Sequence, residues 1–382
     1  LNKPEGADMD EVLQYLQNKK HLIMEDLEFL VCAESPSHKK EMVDQCGEVM
    51  KALFRSRLGL EAEVLPQQTT GDHLRFTYGY GDSQILILTH FDTVWEAGRL
   101  SFRLEGNKAY GPGILDMKAG IIQVIWAVKA CKDLGVPIRH KIVFLCTSDE
   151  EISSITSRDL IEKEAILSRV VLVPEPAAAH TGALKTARKG VGRYTIKIKG
   201  IASHSGNHHD DGISAVEEMA HQILYLHSLT NYSKGTTINV GVANGGTRAN
   251  IVADQAEIHV DARMTSREEA ERISSLIHGI KPHLVGISLS VHGGITRPVM
   301  VRTAQTEQLF LKAALCGAEL GLVLEETAAG GGSDGSFTAQ LGIPTLDGIG
   351  AVGEGPHAEH EHILLSQLPV RTALFAKLLS RL

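Results

Sequence analysis

The stretch Gln84-Ile-Leu-Ile-Leu-Thr-His-Phe-Asp-Thr-Val94 is an apolar strand that ends in an imidazole, His90, with a carboxylate, Asp92, two residues on. A metal-bound imidazole needs its second ring nitrogen held by an acceptor, and a carboxylate at this spacing supplies one. Read alone, the pair is more readily a strand-end histidine hydrogen-bonded to a neighbouring aspartate. The same pattern of strand followed by ligand-type residue then repeats. Tyr110-Gly-Pro-Gly-Ile-Leu-Asp-Met-Lys-Ala-Gly120 places Asp116 after a Gly/Pro turn and before the helical periodicity of residues 121–134. Lys141-Ile-Val-Phe-Leu-Cys-Thr-Ser-Asp-Glu-Glu151 is a buried-type strand that discharges into three acids, and Val170-Val-Leu-Val-Pro-Glu-Pro176 delivers Glu175 between two prolines. Open α/β sheets bind ligands beyond the carboxyl ends of their strands, so these ends are expected to converge on one crevice. Near the end of the chain, Gly353-Glu-Gly-Pro-His-Ala-Glu-His-Glu-His362 adds further histidines.

Each end has a structural alternative. Ser148 with Glu151 three residues later fits a capping box, and acids there favour the helix dipole. Asp116 suits an N-cap, Pro174-Glu-Pro176 a rigid turn, and residues 357–362 a solvated loop. Four strand or turn ends that all carry hard or borderline ligands are a far rarer coincidence than any one of them. The conjunction favours a metal site.

With 382 residues, 43% of them apolar, the chain is long enough for two domains that each bury a core. A net charge of -8 without a basic stripe argues against nucleic acid as a partner. No apolar run reaches the roughly 18 residues of a membrane span. Cys32, Cys46, Cys131, Cys146 and Cys316 are odd in number and lack zinc or redox spacing, so reduced thiols in a cytoplasmic protein are expected, with no secretory leader read.

Helical patterns at residues 9–31, 39–57 and 121–134 alternate with apolar strands up to about residue 190, the mark of an α/β layer structure. Alternating strands follow: Arg193-Tyr-Thr-Ile-Lys-Ile-Lys199, Thr237-Ile-Asn-Val-Gly-Val242 and Ala256-Glu-Ile-His-Val-Asp-Ala262, separated by helices at 213–229 and 266–279. Helix, glycine-turn and strand patterns resume after Arg302. The expected architecture is a discontinuous α/β domain, residues 1–190 and 299–382, with a mixed sheet flanked by helices and an α+β insert at 191–298. No internal repeat or low-complexity segment is present.

Seven motifs stand in order: His90-Phe-Asp92, Gly111-Pro-Gly-Ile-Leu-Asp116-Met-Lys118, Asp149-Glu-Glu151, Pro174-Glu-Pro176, Ala202-Ser-His-Ser-Gly206, Gly330-Gly-Gly-Ser-Asp334 and Gly355-Pro-His357. In them the chain resembles the dinuclear zinc metallopeptidase family that contains bacterial glutamate carboxypeptidase (carboxypeptidase G), acetylornithine deacetylase, succinyl-diaminopimelate desuccinylase and the aminoacylases. The resemblance covers nearly the whole chain. It is strongest to the glutamate carboxypeptidase branch, through Lys108-Ala-Tyr-Gly-Pro-Gly113 and Ser157-Arg-Asp-Leu-Ile161.

The resemblance implies a zinc-peptidase-like catalytic domain and an insert that acts as lid and dimerises. It implies two zinc ions, one held by His90, Asp116 and Glu175 and the other by Asp116, Glu151 and His357. Manganese or cobalt are expected to substitute, because the ligand set has no thiolate. Glu150 becomes the general base, Asp92 the partner of His90, and His204 an oxyanion donor, often from the second subunit of a homodimer. For the substrate carboxylate, Arg297, Asn250, Arg263 and the turn Gly331-Gly332-Ser333 match family positions, and guanidinium forks and turn amides suit carboxylates. The glycine run lacks the Gly-Lys-Ser/Thr of a P-loop, so no nucleotide is expected. The family also implies a cis bond at Asp116-Met117. Two departures stand out: Ser153, where the family usually has a glycine able to take φ > 0, and Asn207-His-His-Asp-Asp-Gly212, in place of a small apolar loop.

The expected activity is metal-dependent hydrolysis of an amide bond next to a free carboxylate, releasing a C-terminal amino acid such as glutamate from a small N-acyl or dipeptide-like substrate. The alternatives are an N-acyl amino acid deacylase, desuccinylase or aminoacylase of the same chemistry, and a non-catalytic metal-binding protein on the same scaffold. The last predicts loss of the base or of a ligand, and all are present.

Overall fold

The computed structural model describes residues 11–382, so the first two residues of the helix expected over 9–31 lie outside the described residues. The rest of that segment forms two helices, Glu11–Asn18 and Lys20–Cys32. The chain divides into two compact units. The first comprises residues up to 187 with 302–328 and 337–382, and the second 188–301 with 329–336.

The first unit is organised by the strand Gln84–His90, every residue of which is buried. Ile85 and Ile87 enter a core with the helices Lys40–Leu58 and Ala119–Leu134, while Leu86 and Leu88 join Ile161 and Ala165 of the helix Arg158–Ile166 on the other face. A strand covered on both faces is continuously apolar instead of alternating, and this explains the run from Ile85 to Leu88. Eight strands pair in the order Glu63–Leu65, His73–Tyr78, Lys141–Thr147, Gln84–His90, Ser168–Val173, Thr345–Asp347, Leu184–Arg188 and Glu326–Ala329. The third to sixth of these run parallel, with His90 opposite Thr147 and Ile87 opposite Leu172. Their carboxyl ends therefore emerge together, ahead of Asp92, Glu150 and Glu175. A small antiparallel sheet pairs His362–Leu364 with Lys108–Tyr110, which brings the chain after His357 beside the approach to Asp116.

The second unit has a four-stranded antiparallel sheet in the order Thr237–Gly245, Gln255–Met264, Gly190–Lys199, Ser288–Arg297. Its core joins Ile196, Ile198, Ile258 and Val260 to Ile273 and Ile277 of the helix Arg267–His278. Both of its longer helices start at a serine N-cap: Ser214 Oγ accepts from Glu217 N and Ser266 Oγ from Glu269 N. The strand Ser288–Arg297 is not legible in the sequence, because Gly293 and Gly294 interrupt its alternation. Gly293 is required there: its φ is +97°, and a Cβ would lie 2.2 Å from Arg193 O.

One boundary differs from the sequence expectation. Residues 329–336 pack with the second unit, although the pattern alone assigns all of 299–382 to the first. The reason is a set of guanidinium contacts to the glycine run: Arg188 donates to Gly331 O (3.2 Å) and Gly332 O (3.3 Å), and Arg263 to Gly330 O (3.4 Å). Among the described residues, no helix is long and apolar enough to cross a membrane.

Candidate active site

His90, the last residue of its strand, is buried, and its ring is oriented from behind. Nδ1 lies 3.1 Å from the main-chain oxygen of Asp92 and 3.5 Å from that residue's Oδ1. The nearer acceptor is thus the Asp92 carbonyl. The Asp92 carboxylate itself accepts from Ser37 Oγ (2.7 Å) and from the amides of Glu150 (3.1 Å) and Glu151 (3.2 Å), so it also fixes the acidic turn. With Nδ1 engaged, His90 Nε2 faces the crevice, 3.2 Å from Asp116 Oδ1 and 3.5 Å from Glu175 Oε1. On the other side His357 Nε2 lies 3.5 Å from Asp116 Oδ2 and 3.2 Å from Glu151 Oε1. Asp116 therefore offers one oxygen to each imidazole. The Asp116-Met117 bond is cis, as the resemblance implies.

These separations suit metal coordination. Ligands about 2.1 Å from a tetrahedral ion sit roughly 3.4 Å from one another, and all four nitrogen–oxygen distances above fall between 3.2 and 3.5 Å. His90, Asp116 and Glu151 in addition offer ligand atoms that all lie within 4.8 Å of one another. The electrostatics agree. Although burial opposes it, the carboxylates of Asp116, Asp92 and Glu175 hold the His90 imidazole well above its ordinary value. The Asp116 and Glu151 carboxylates push His357 up to about 11. Against the effect of burial, His357 and His90 hold Asp116 well below the usual carboxylate range. Burial pushes Glu151 up to about 8 against the pull of His357. A crevice that keeps protons on two imidazoles carries an excess of negative charge, which divalent cations would relieve.

The capping alternatives do not describe this turn. Ser148 Oγ donates to Gly71 O, Glu151 points to His357, and residues 150–152 form only one 3-10 turn. Asp116 is no N-cap either, since the helix Ala119–Leu134 begins after Lys118 without a side-chain cap. Ser153 has φ +81°, the backbone region for which the family's glycine is suited.

Two buried acids that hold the site together carry no clear mark in the sequence. Asp149 accepts from the amides of Thr156 (2.7 Å) and Ser157 (3.3 Å) and from both hydroxyls, closing the turn that presents Glu150 and Glu151. Glu361 binds the main chain around Asp116. Asp149 is visible only as a member of an acidic run, and nothing local marks Glu361 among the histidines around it.

The substrate-side candidates lie in the second unit. Gly206 N and Asn207 N both donate to His204 Nδ1 at 3.1 Å, which leaves the ring proton on Nε2 and makes that atom a donor. The segments of His204 and Asn250 are paired, Ser205 N donating to Asn250 O at 3.1 Å. Arg297 is buried and faces Asp334 Oδ1 at 3.2 Å. Arg263 grips Asp261 with two bonds of 2.6 and 2.9 Å. Gly332 packs on the Arg297 side chain, and Ser333 Oγ accepts from Gly335 N at 3.2 Å.

A parallel-sheet crevice lined by imidazoles and carboxylates, with a spare glutamate beside them, defines a hydrolytic enzyme of the metal-dependent class. The comparisons with known proteins are specific. Residues 86–381 match the model of peptidase family M20/M25/M40, and the chain belongs to that family. Carboxypeptidase G2 from Pseudomonas sp. (strain RS-16) is 29% identical over 381 residues, covering 97% of this chain and 92% of that protein. Acetylornithine deacetylase from Proteus mirabilis (strain HI4320) is 28% identical over 277 residues, 65% of this chain and 68% of that one. Among solved structures, aminopeptidase PepT from Bacillus cereus ATCC 10987 superposes with a TM-score of 0.75 at 22% identity, over 94% of this chain and 98% of its own. The Bacillus subtilis YXEP protein, described as a dinuclear metal binding peptidase of family M20, gives 0.69 at 18% identity over 96% and 98%. At these identities the two structures establish the shared fold.

Proposed function

We propose that this enzyme hydrolyses an amide bond adjacent to a free carboxylate and releases a C-terminal amino acid such as glutamate from an N-acyl or peptidyl partner. The observation that carries the reading is the two-sided Asp116, with Oδ1 3.2 Å from His90 Nε2 and Oδ2 3.5 Å from His357 Nε2. In this reading His90, Asp116 and Glu175 hold one divalent ion, and Asp116, Glu151 and His357 the other. Zinc suits the mixed imidazole and carboxylate set, with manganese or cobalt as substitutes. When bound, the ions polarise the scissile carbonyl and acidify a water. Glu150, held through its amide by Asp92, takes a proton from the attacking water and returns it to the leaving nitrogen. His204 presents its Nε2 proton to the developing oxyanion.

The substrate carboxylate is assigned to Asn250, Arg263, Arg297 and the turn at Gly332 and Ser333. Arg263 is the more accessible guanidinium, its side chain 29% exposed against 6% for Arg297. A homodimer through the second unit is supported by the position of Thr237–Gly245 at the edge of its sheet and by the exposure of Leu224 on the neighbouring helix. Five free cysteines fit a reducing cytoplasm.

Near full-length likeness to carboxypeptidase G2 favours glutamate release, while the match to acetylornithine deacetylase favours N-acyl amino acid deacylation at the same centre. A panel of N-acyl amino acids and dipeptides, assayed with zinc, manganese and cobalt for amine release, separates them. The highest kcat/KM on N-acyl glutamates supports the first reading, and a preference for acetylated basic amino acids supports the second. No hydrolysis across the panel with two ions bound overturns both.

A further inference from the structure

We infer that Glu361 is the positioning residue that sets the spacing between the two sides of the Asp116 centre, an inference that rests on the reading of Asp116 and His357 as ligands. Glu361 is 1% exposed, and each of its carboxylate oxygens collects two N–H groups. Oε1 accepts from the amides of Leu115 (2.9 Å) and Asp116 (3.1 Å). Oε2 accepts from the indole Nε1 of Trp95 (2.7 Å) and the amide of Gly113 (3.2 Å). Three donors belong to the loop that delivers Asp116, and the fourth stands on the segment that leaves His90. Glu361 itself follows His357 by one tight turn, closed by Ala358 N to Gly355 O and Glu361 N to Ala358 O. One buried carboxylate thus ties together the three segments that present His90, Asp116 and His357.

The donor pattern makes the role specific to a carboxylate. Four N–H groups surround the two oxygens, so the site needs an oxygen at both positions, and a carboxyl group presents one at each whereas an amide presents one only. Glutamine has the same shape but must turn its NH2 toward two of the four donors, whichever way the amide is flipped. With both oxygens engaged on N–H groups, Glu361 is placed to orient ligands and not to act as one. Groups that orient metal ligands from behind commonly change metal affinity about 10- to 100-fold when altered.

The test compares Glu361→Gln, Trp95→Phe and Glu151→Gln with the unaltered full chain. Zinc affinity is measured by competition with a chromophoric chelator, alongside metal content, kcat at saturating zinc, and melting of the metal-free protein. Glu361→Gln is expected to weaken zinc binding about 10- to 100-fold and to regain much of its kcat when zinc is raised. Trp95→Phe, which removes one donor and no acceptor, is expected to shift affinity in the same direction by a few-fold. A packing role alone would lower the metal-free melting temperature while leaving zinc affinity unchanged. Wild-type affinity in Glu361→Gln overturns the inference, and if that variant fails to fold, wild-type affinity in Trp95→Phe does so. Unchanged affinity in Glu151→Gln would instead remove the two-ion reading on which the inference rests.

Discussion

The two compact units handle buried charge in opposite ways. In the first, Asp116, Glu151 and Glu175 face two imidazoles, both raised above their ordinary values by the carboxylates around them, a cluster that divalent cations would complete. In the second, each guanidinium assigned to the substrate already meets a carboxylate of its own unit, Arg297 at Asp334 and Arg263 at Asp261. Charge by itself therefore does not mark a site. What marks it is charge whose balance is missing, and by that measure the first unit is suited to metal, whereas in the proposed reading the second would exchange an internal partner for a substrate.

The largest effect expected is at Glu150, where the acid excess divides into metal binding and proton transfer. Glu150→Gln keeps shape and removes the base, so kcat is expected to fall about 100- to 10,000-fold while both ions stay bound. Glu151→Gln is expected to lose metal. Steady-state kinetics beside elemental analysis checks the division, and near wild-type kcat in Glu150→Gln would remove the base from the mechanism.

The second unit gives the next contrast. Arg297→Ala takes away the guanidinium that the buried Asp334 carboxylate faces, and breaking such a pair costs about 3–5 kcal/mol, readable as a lower denaturant midpoint. The half-buried Arg263–Asp261 pair contributes only about 0–1 kcal/mol, so Arg263→Ala is expected to spare stability and raise KM. If Arg263→Ala leaves KM unchanged across the N-acyl amino acids, the substrate carboxylate is bound elsewhere.

A pH titration sharpens the first half of the comparison. The His357 imidazole, normally near 6.5, is pushed up to about 11 by Asp116 and Glu151. Its folded value lies above its unfolded one, so its contribution to the metal-free protein is complete below pH 6.5 and is lost as pH rises through about 11. Ions must displace this proton, and apparent metal affinity is expected to rise about tenfold per pH unit for each proton released. Calorimetry in buffers of different ionisation enthalpy counts those protons. A pH-independent affinity between pH 6 and 8 would contradict the electrostatic account of the crevice.

The sequence made the strand ends legible because ligand and strand lie within a few residues of each other, as in Gln84–His90 followed by Asp92. The helices expected at 213–229 and 266–279 are also found, as Ala215–Ser228 and Arg267–His278. Local rules failed where a partner comes from far away. Ser148 and Glu151 have the spacing of a cap, but Gly71 O takes the hydroxyl and His357 the carboxylate. Glu361 meets Asp116 and Trp95 from 245 and 266 residues away, and no periodicity carries that information. Arg297 and Asp334 were both visible, but not their mutual neutralisation.

The smallest effect expected concerns the backbone, where the two units again differ. In the second unit the described residues with φ in the left-handed region are all glycines: Gly235, Gly246, Gly286 and Gly293. Among its described residues the first unit holds four non-glycine residues there, Ser153, Ser154, His180 and His357, and two of these lie on the turn that presents Glu150 and Glu151. A Cβ in this conformation costs about 1 kcal/mol or slightly more. Ser153→Gly removes both the Cβ and the hydroxyl, whereas Ser153→Ala removes the hydroxyl alone, so their difference isolates the backbone. Glycine is expected to exceed alanine by about 1 kcal/mol in chemical denaturation, reduced by a few tenths for its freer unfolded chain. Equal stability of the two variants would mean that Ser153 relaxes out of the left-handed region in solution, and the first unit would then hold no more backbone strain at this turn than the second does at its glycines.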